Sequence, residues 1–497
     1  MLKKIRVAIS VLVFSLLTFY FLDFAGILPV EFHALGHIQL VPATLSLNIG
    51  VIVFLAICTL LFGRIYCSAI CPMGVFQDII NRCSKRKKFV ERKNNFILRW
   101  SIVAVCVILF FAGYTVIIGL LDPYSAYGRI ATHIFKPVYM FMNNILASVF
   151  GYFGNHTFYK TEIGILSVFT FAVALLTFAV IGVLALAKGR LYCNTVCPVG
   201  TVLGFVSKFS LFKIKINGDK CASCGICSMK CKASCIDAKA KTIDYSRCVN
   251  CFNCINNCSR KGISFAINKS KPKNQQPVDK SKRKFLLTSL AAAIAAPAVF
   301  AQTTLFSAKK GQRQNAISPP GAVSAERLQK HCTSCHLCVS KCPSHVLKPA
   351  FMEYGIGAVM MPMMDFEKGF CNFDCTICTR VCPNGALLPL TVEQKHRLQV
   401  GKVVFIPDIC VVHTEGTSCG ACSEHCPTQA VKMVPYRDGL TVPFIDADIC
   451  VGCGGCEFIC PVRPDRAIYV EGNKIHQQAR AFDVEKNDDK EVTDFGF

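Results

Sequence analysis

Cysteines at ligand spacing are the residues best placed to do chemistry in this chain. Cys221-x2-Cys224-x2-Cys227-x3-Cys231 is followed by Cys248-x2-Cys251-x2-Cys254-x3-Cys258. Three thiolates so spaced wrap one [4Fe–4S] cube, and the fourth reaches across to the other, so Cys258 is expected to complete the first cluster and Cys231 the second. Structural zinc would normally use two pairs instead of runs of four. Cys235 is left over as a bystander. Four further runs follow. Cys332, Cys335, Cys338, Cys342 and Cys450, Cys453, Cys456, Cys460 are regular; Cys371, Cys375, Cys378, Cys382 is stretched by one; Cys410, Cys419, Cys422, Cys426 carries an insertion after its first ligand. All four end in Cys-Pro, a common feature of bacterial ferredoxin runs. The expectation is 24 ligating cysteines and six [4Fe–4S] clusters, the first outer run exchanging its fourth cysteine with the last and the middle two with each other.

Two more motifs compete for chemistry. Cys332-Thr-Ser-Cys335-His336 matches a c-type haem attachment site, yet both cysteines are needed by the longer run. Gly63-Arg-Ile-Tyr-Cys67-Ser-Ala-Ile-Cys71-Pro-Met-Gly74 recurs as Gly189-Arg-Leu-Tyr-Cys193-Asn-Thr-Val-Cys197-Pro-Val-Gly200. These four thiols are either inert packing cysteines at helix ends or a seventh cluster or redox pair, and the repeated motif is more specific than packing demands. Cys58, Cys83 and Cys106 read as ordinary core or loop cysteines. No phosphate-cradling glycine loop, nucleophile triad or paired catalytic carboxylate stands out, which leaves a membrane-soluble donor or a protein as the electron source. Asp122, Tyr124 and His133, in a loop with amphipathic stretches, could take a proton or hydrogen-bond a quinone; each could equally be an interfacial anchor.

The elements that must position these groups are apolar. Of 497 residues, 52% are hydrophobic, and five stretches approach the roughly 20 residues that cross a bilayer: 7–29, 44–63, 97–121, 163–187 and 285–306. The net charge of +24 is segregated. Residues 188–284 hold 20 Lys/Arg against 4 Asp/Glu, and 308–497 hold 20 against 21. That pattern is membrane topology, not nucleic-acid binding, and it puts the N-terminus and 188–284 in the cytoplasm and the C-terminal part outside. The expected fold is a membrane α-helical core of four spans plus a fifth tethering span, with α+β ferredoxin-like domains on both sides. Its parts are a four-span domain (1–215), a cytoplasmic two-cluster domain (216–268), a basic linker (269–284), a signal-like fifth span (285–307) and a periplasmic four-cluster domain (308–497).

Taken together, the four spans, the two Cys-x3-Cys-Pro motifs and the two-cluster tail resemble the membrane-embedded ferredoxin of periplasmic nitrate reductase systems. The stretch from Ser281 to Gln302 and the four-cluster domain, especially Cys450-Val-Gly-Cys-Gly-Gly-Cys-Glu-Phe-Ile-Cys460-Pro, resemble the periplasmic ferredoxin that partners it. The resemblance implies a fusion of the two in an inner (cytoplasmic) membrane. It implies a quinol dehydrogenase drawing on the quinol pool and passing electrons to a periplasmic reductase, of nitrate or nitrous oxide type, or to a cytochrome c-type carrier. The periplasmic ferredoxins of this family are exported by the twin-arginine route; here Ser281-Lys282-Arg283-Lys284-Phe285 has Lys in place of the first Arg, and no cleavage after Ala301 is expected. The alternative is an assembly or regulatory polyferredoxin that reduces a metal or disulfide during oxidase or nitrous oxide reductase maturation.

Overall fold

The computed structural model describes residues 1–83, 89, 95–164, 166–267 and 313–481. Its apolar runs form α1 (Leu2–Leu22), α2 (Ile49–Phe62), α3 (Pro72–Cys83), α4 (Phe96–Phe111), α5 (Thr115–Leu121), α6 (Pro123–Ile130), α7 (Lys136–Tyr152), α8 (Val168–Lys188) and α9 (Pro198–Val206). Among the described residues, α1 and α8 alone are long and apolar enough to cross a bilayer, at 21 residues each, or about 31 Å. The expected four or five spans are therefore not matched by length. Helix α2 has 14 residues because Asn48 caps it late, its side chain accepting the Val51 N–H. The third expected span is broken at Gly113, whose φ of 82° ends α4 and lets α5 start in a new direction. The expected fifth span and the Ser281–Gln302 signal lie outside the described residues.

Two ferredoxin units flank these helices. The inner one holds β1 (Phe212–Ile216), β2 (Ile236–Asp237), β3 (Thr242–Ile243) and β4 (Ile263–Ile267); β1 pairs with β4 and β2 with β3, antiparallel. The outer one holds β5 (Leu347–Pro349), β6 (Pro362–Met364), β7 (Leu398–Phe405), β8 (Val431–Pro435), β9 (Thr441–Ile445) and β10 (Ile468–Gln478). Here β5 pairs with β6, β8 with β9, and β7 with β10. The units sit at opposite ends of the helices. Past the end of α2 the Leu211 N–H bonds Leu60 O at 2.7 Å, and past the end of α8 the Arg190 N–H bonds Lys232 O at 3.0 Å. At the start of α8, Phe169 instead packs edge-on against Phe351 of the outer unit, ring centroids 5.0 Å apart.

Candidate iron–sulfur electron path

Backbone handedness marks the cysteine loops. In the four regular runs, the residues just before and just after the second cysteine are both left-handed: Ser223 and Gly225, Asn250 and Phe252, Ser334 and His336, Gly452 and Gly454. A non-glycine residue in that conformation costs on the order of 1–2 kcal/mol, yet five of the eight are not glycine. Such alternation turns successive N–H groups inward into an anion-binding concavity, which suits a cube whose sulfurs carry negative charge. Five of the six fourth cysteines are followed three residues on by another left-handed residue: Ser234, Lys261, His345, Gly385 and Gln429. The turn that results aims donors at sulfur, with Leu387 N–H 3.4 Å from Cys382 Sγ and Ala430 N–H 3.2 Å from Cys426 Sγ.

Burial pushes the Cys338, Cys378 and Cys456 thiols well up, so thiolates there need metal charge beside them. Among the described residues no three His, Cys, Asp or Glu side chains converge tightly enough for a single metal ion. A cube, with one thiolate on each of four irons, sets its cysteines farther apart than one ion does. Four cysteines per set, closed by turns that aim N–H donors at sulfur, are the donors such a cluster takes, so the residues fit it.

The pairing differs from expectation. Cys342 lines one small cavity together with Cys371, Cys375 and Cys378, and Cys382 adds to the upward push on Cys332, Cys335 and Cys338. Likewise Cys460 bears on Cys410, and Cys426 on Cys450, Cys453 and Cys456. The fold therefore groups the fourth cysteine of the first outer run with the second run and that of the third with the fourth, because consecutive runs fold back on each other, Leu337–Ser340 beside Ile377–Val381. In the inner unit Cys231 bears on Cys251 and Cys254. Cys235 Sγ lies 3.5 Å from that of Cys231.

The two repeated motifs fold into one centre. Cys67, Cys71, Cys193 and Cys197 are all buried, and burial followed by the charge of Cys193 and Cys67 drives Cys71 well up. Each motif's arginine clamps the other motif. Arg64 donates to Cys193 O at 3.1 Å and Asn194 Oδ1 at 2.9 Å; Arg190 donates to Cys67 O at 2.8 Å and pairs with Asp78 at 2.9 Å. The closing glycines fit the same symmetry: a Cβ on Gly74 would lie 2.1 Å from Cys67 O, and one on Gly200 2.1 Å from Cys193 O. Inward, Arg64 also donates to Ser246 O of the inner ferredoxin unit at 3.0 Å, and Lys232 reaches Asp78 at 3.3 Å. Outward, Tyr192 donates to Leu121 O at 2.8 Å and Tyr66 to Gln39 Oε1 at 2.7 Å. Sequence reasoning missed Arg64, Arg190, Tyr66, Tyr192 and Asp78 as functional residues, although the first four are positions shared by both copies of the repeat.

Asp122 and His133 stand next along this line. Asp122 caps α6, accepting the Ser125 N–H at 2.8 Å and its hydroxyl at 2.7 Å, with Pro123 in the first turn. Burial pushes its carboxyl up to about 6 against those bonds. His133 lies in a π turn, Ala131–Phe135, with Nε2 2.8 Å from His336 Nδ1; burial, with Arg129 adding, pushes it down to about 4. His336 spends its other nitrogen on Met360 O at 2.8 Å, so neither nitrogen faces a haem. Both Asp122 and His133 belong to a joint that seats the first outer cluster run on the helices. The Thr115 hydroxyl lies 2.6 and 2.7 Å from Gln329 O and Cys332 O, Thr333 Oγ1 lies 2.8 Å from Ser125 Oγ, and Lys341 donates to Asp23 at 2.7 Å. Glycine makes the approach possible: a Cβ on Gly119 would lie 2.1 Å from Thr333 O, and one on Gly128 2.4 Å from Cys335 O.

Comparison with known proteins follows the same divisions. A 4Fe-4S binding domain model matches residues 43–90 and 169–217, the two segments that carry Cys67/Cys71 and Cys193/Cys197. Dicluster 4Fe-4S domain models match 417–463 and 244–346. The chain carries ferredoxin-type [4Fe–4S] domains. Curated relatives agree. Ferredoxin-type protein NapF of Escherichia coli K12 is 27% identical over 32% of this chain and 88% of its own length. The methylamine utilization ferredoxin-type protein MauM of Methylobacillus flagellatus is 27% identical over 38% and 83%, and ferredoxin-type protein NapG of E. coli K12 is 29% identical over 29% and 65%. No solved structure matches. Iron–sulfur electron transfer is the activity these domains and relatives support.

Proposed function

We propose that the chain is a membrane-anchored electron conduit that oxidises quinol and passes electrons through [4Fe–4S] clusters to a respiratory reductase or small cytochrome on the outer side. The observation that carries this reading is the alignment of three cysteine sets along the helices. The inner unit touches the quartet motif through Arg64 and Lys232. The quartet reaches Leu121 through Tyr192, and α5 and α6, which meet at Leu121 and Asp122, hold Cys332 and Thr333. On this reading Cys67, Cys71, Cys193 and Cys197 hold a seventh cluster, which divides a hydrocarbon layer of about 30 Å into two shorter steps. Bound clusters supply one-electron uptake and release. The chain's own residues fix their spacing, exclude water from the path and place Arg64 and Arg190 beside the quartet, where fixed positive charge favours added negative charge. The resemblance to the ferredoxins of periplasmic nitrate reductase systems favours such a system as acceptor, and the MauM relative, named for methylamine utilization, leaves other acceptors open.

Anaerobic addition of a menaquinol analogue to the purified, cluster-loaded chain tests this. Bleaching of the iron–sulfur absorbance is expected. No bleaching with quinol, together with retained reduction of copper, would overturn the reading in favour of a maturation role.

A further inference from the structure

A cavity of about 650 Å³ lies between the helices and the outer ferredoxin unit, within the size range of small-molecule sites. Thr132, Lys136 and Met140 of the π turn and α7 form one wall, Glu162 to Gly164 and Leu166 to Val168 at the start of α8 a second, and Val339, Lys348 and Phe351 of the outer unit a third. We propose that this cavity binds the ring of an isoprenoid hydroquinone, its tail leaving over the apolar faces of α7 and α8. The inference rests on the quinol-oxidising reading above and locates its site.

Four observations point to that ligand. The rim is apolar and open, with Val168 75% and Phe351 45% exposed, and it continues into exposed Val138 and Phe141 of α7 and Leu176 and Val183 of α8. The interior is polar, and Thr132, 3% exposed, holds a hydroxyl with no hydrogen-bond partner among the described residues, a cost normally relieved by a ligand or water. The charges disfavour an anionic guest: three ammonium groups, Lys136, Lys348 and Lys368, line the cavity with four carboxylates, Glu162, Glu353, Asp365 and Glu367. A phosphate headgroup would meet those carboxylates. Finally, the cavity touches the cluster run. Val339 follows Cys338, the Lys136 ammonium donates to Ser340 O, and the His345 N–H bonds Cys342 O at 3.3 Å. Oxidation of a hydroquinone there breaks two O–H bonds, releasing two protons to water past the cavity carboxylates and two electrons, one to each of two [4Fe–4S] clusters of the outer unit.

Photolabelling the full cluster-loaded chain with an azidoquinone, and measuring its equilibrium binding, tests the site. Labels are expected within 132–140, 162–168 or 348–353, and Met140→Trp, which fills the cavity, should weaken binding about ten-fold or more with the iron content and dithionite-reduced spectrum unchanged. Labelling confined elsewhere, or undiminished binding to a Met140→Trp protein of full iron content, overturns the site. So does competition by phosphatidylglycerol vesicles that displaces all the quinone. Quinol bleaching of wild type and Met140→Trp at equal rates would sink the site and spare the wider reading. Quinone bound in the cavity without bleaching would spare the site and sink the reading.

Discussion

Arg64 and Arg190 have no exposed surface to speak of, and burying a guanidinium demands partners for it. Arg190 has a carboxylate, Asp78, which Lys232 and Arg6 also reach. Burial alone would raise the Asp78 carboxyl, but Arg190, then Lys232 and Arg6, bring it down to about 2. A folded value below the ordinary 3.8 means the stabilisation is complete above the unfolded value and is lost as pH falls through about 2. Thermal stability attributable to this carboxylate should therefore be flat from pH 5 to 8. Asp78→Asn should destabilise the helical unit by about 3–5 kcal/mol, since it strands buried cations, and a melt in detergent followed by circular dichroism measures that. The iron–sulfur character of the domains was readable at this scale because cube chemistry fixes cysteine spacing along the chain. The partner of each fourth cysteine was not, because it depends on which run folds back on which.

Asp122-Pro123 carried a second meaning at the level of elements. Asp before Pro is a helix start as much as a proton acceptor, and in the fold it caps α6. What the sequence could not display is that α5 and α6 are a seat. The sequence put α5 at the end of a span and α6 in a loop, yet Gly119 and Gly128 face the carbonyls of Thr333 and Cys335, more than 200 residues away. Gly128→Val should wedge this joint open. Overpacking of this kind costs about 1–3 kcal/mol, and the outer unit should keep its own iron while its reduction by quinol slows. Iron assay together with stopped-flow bleaching distinguishes that from loss of clusters. The repeated Gly-Arg-x-Tyr-Cys-x3-Cys-Pro-x-Gly motif was the clearest element-scale signal. Its glycines now have a cause: Gly74→Ala or Gly200→Ala drives a methyl into a cysteine carbonyl, and either change should lower iron occupancy of the quartet.

For the whole molecule, two ferredoxin units at opposite ends of a helical core are useful as a conduit only if something carries electrons between them. The symmetric quartet lies between them, tied inward by Arg64 and outward by Tyr192. Charge segregation and hydropathy suggested a division of the chain, but no span-counting could reveal that the expected spans 44–63 and 97–121 are short or broken. The central claim is a continuous path through Cys67, Cys71, Cys193 and Cys197. The most direct measurement compares wild type with the quadruple Cys→Ser variant in sealed vesicles, with an enclosed impermeant reductant on the inner-unit side and an impermeant acceptor outside. We predict that wild type, with about 28 irons, reduces the external acceptor, whereas the variant, with about 24, does not. Undiminished transfer by the variant, or an unchanged iron count, would contradict the path.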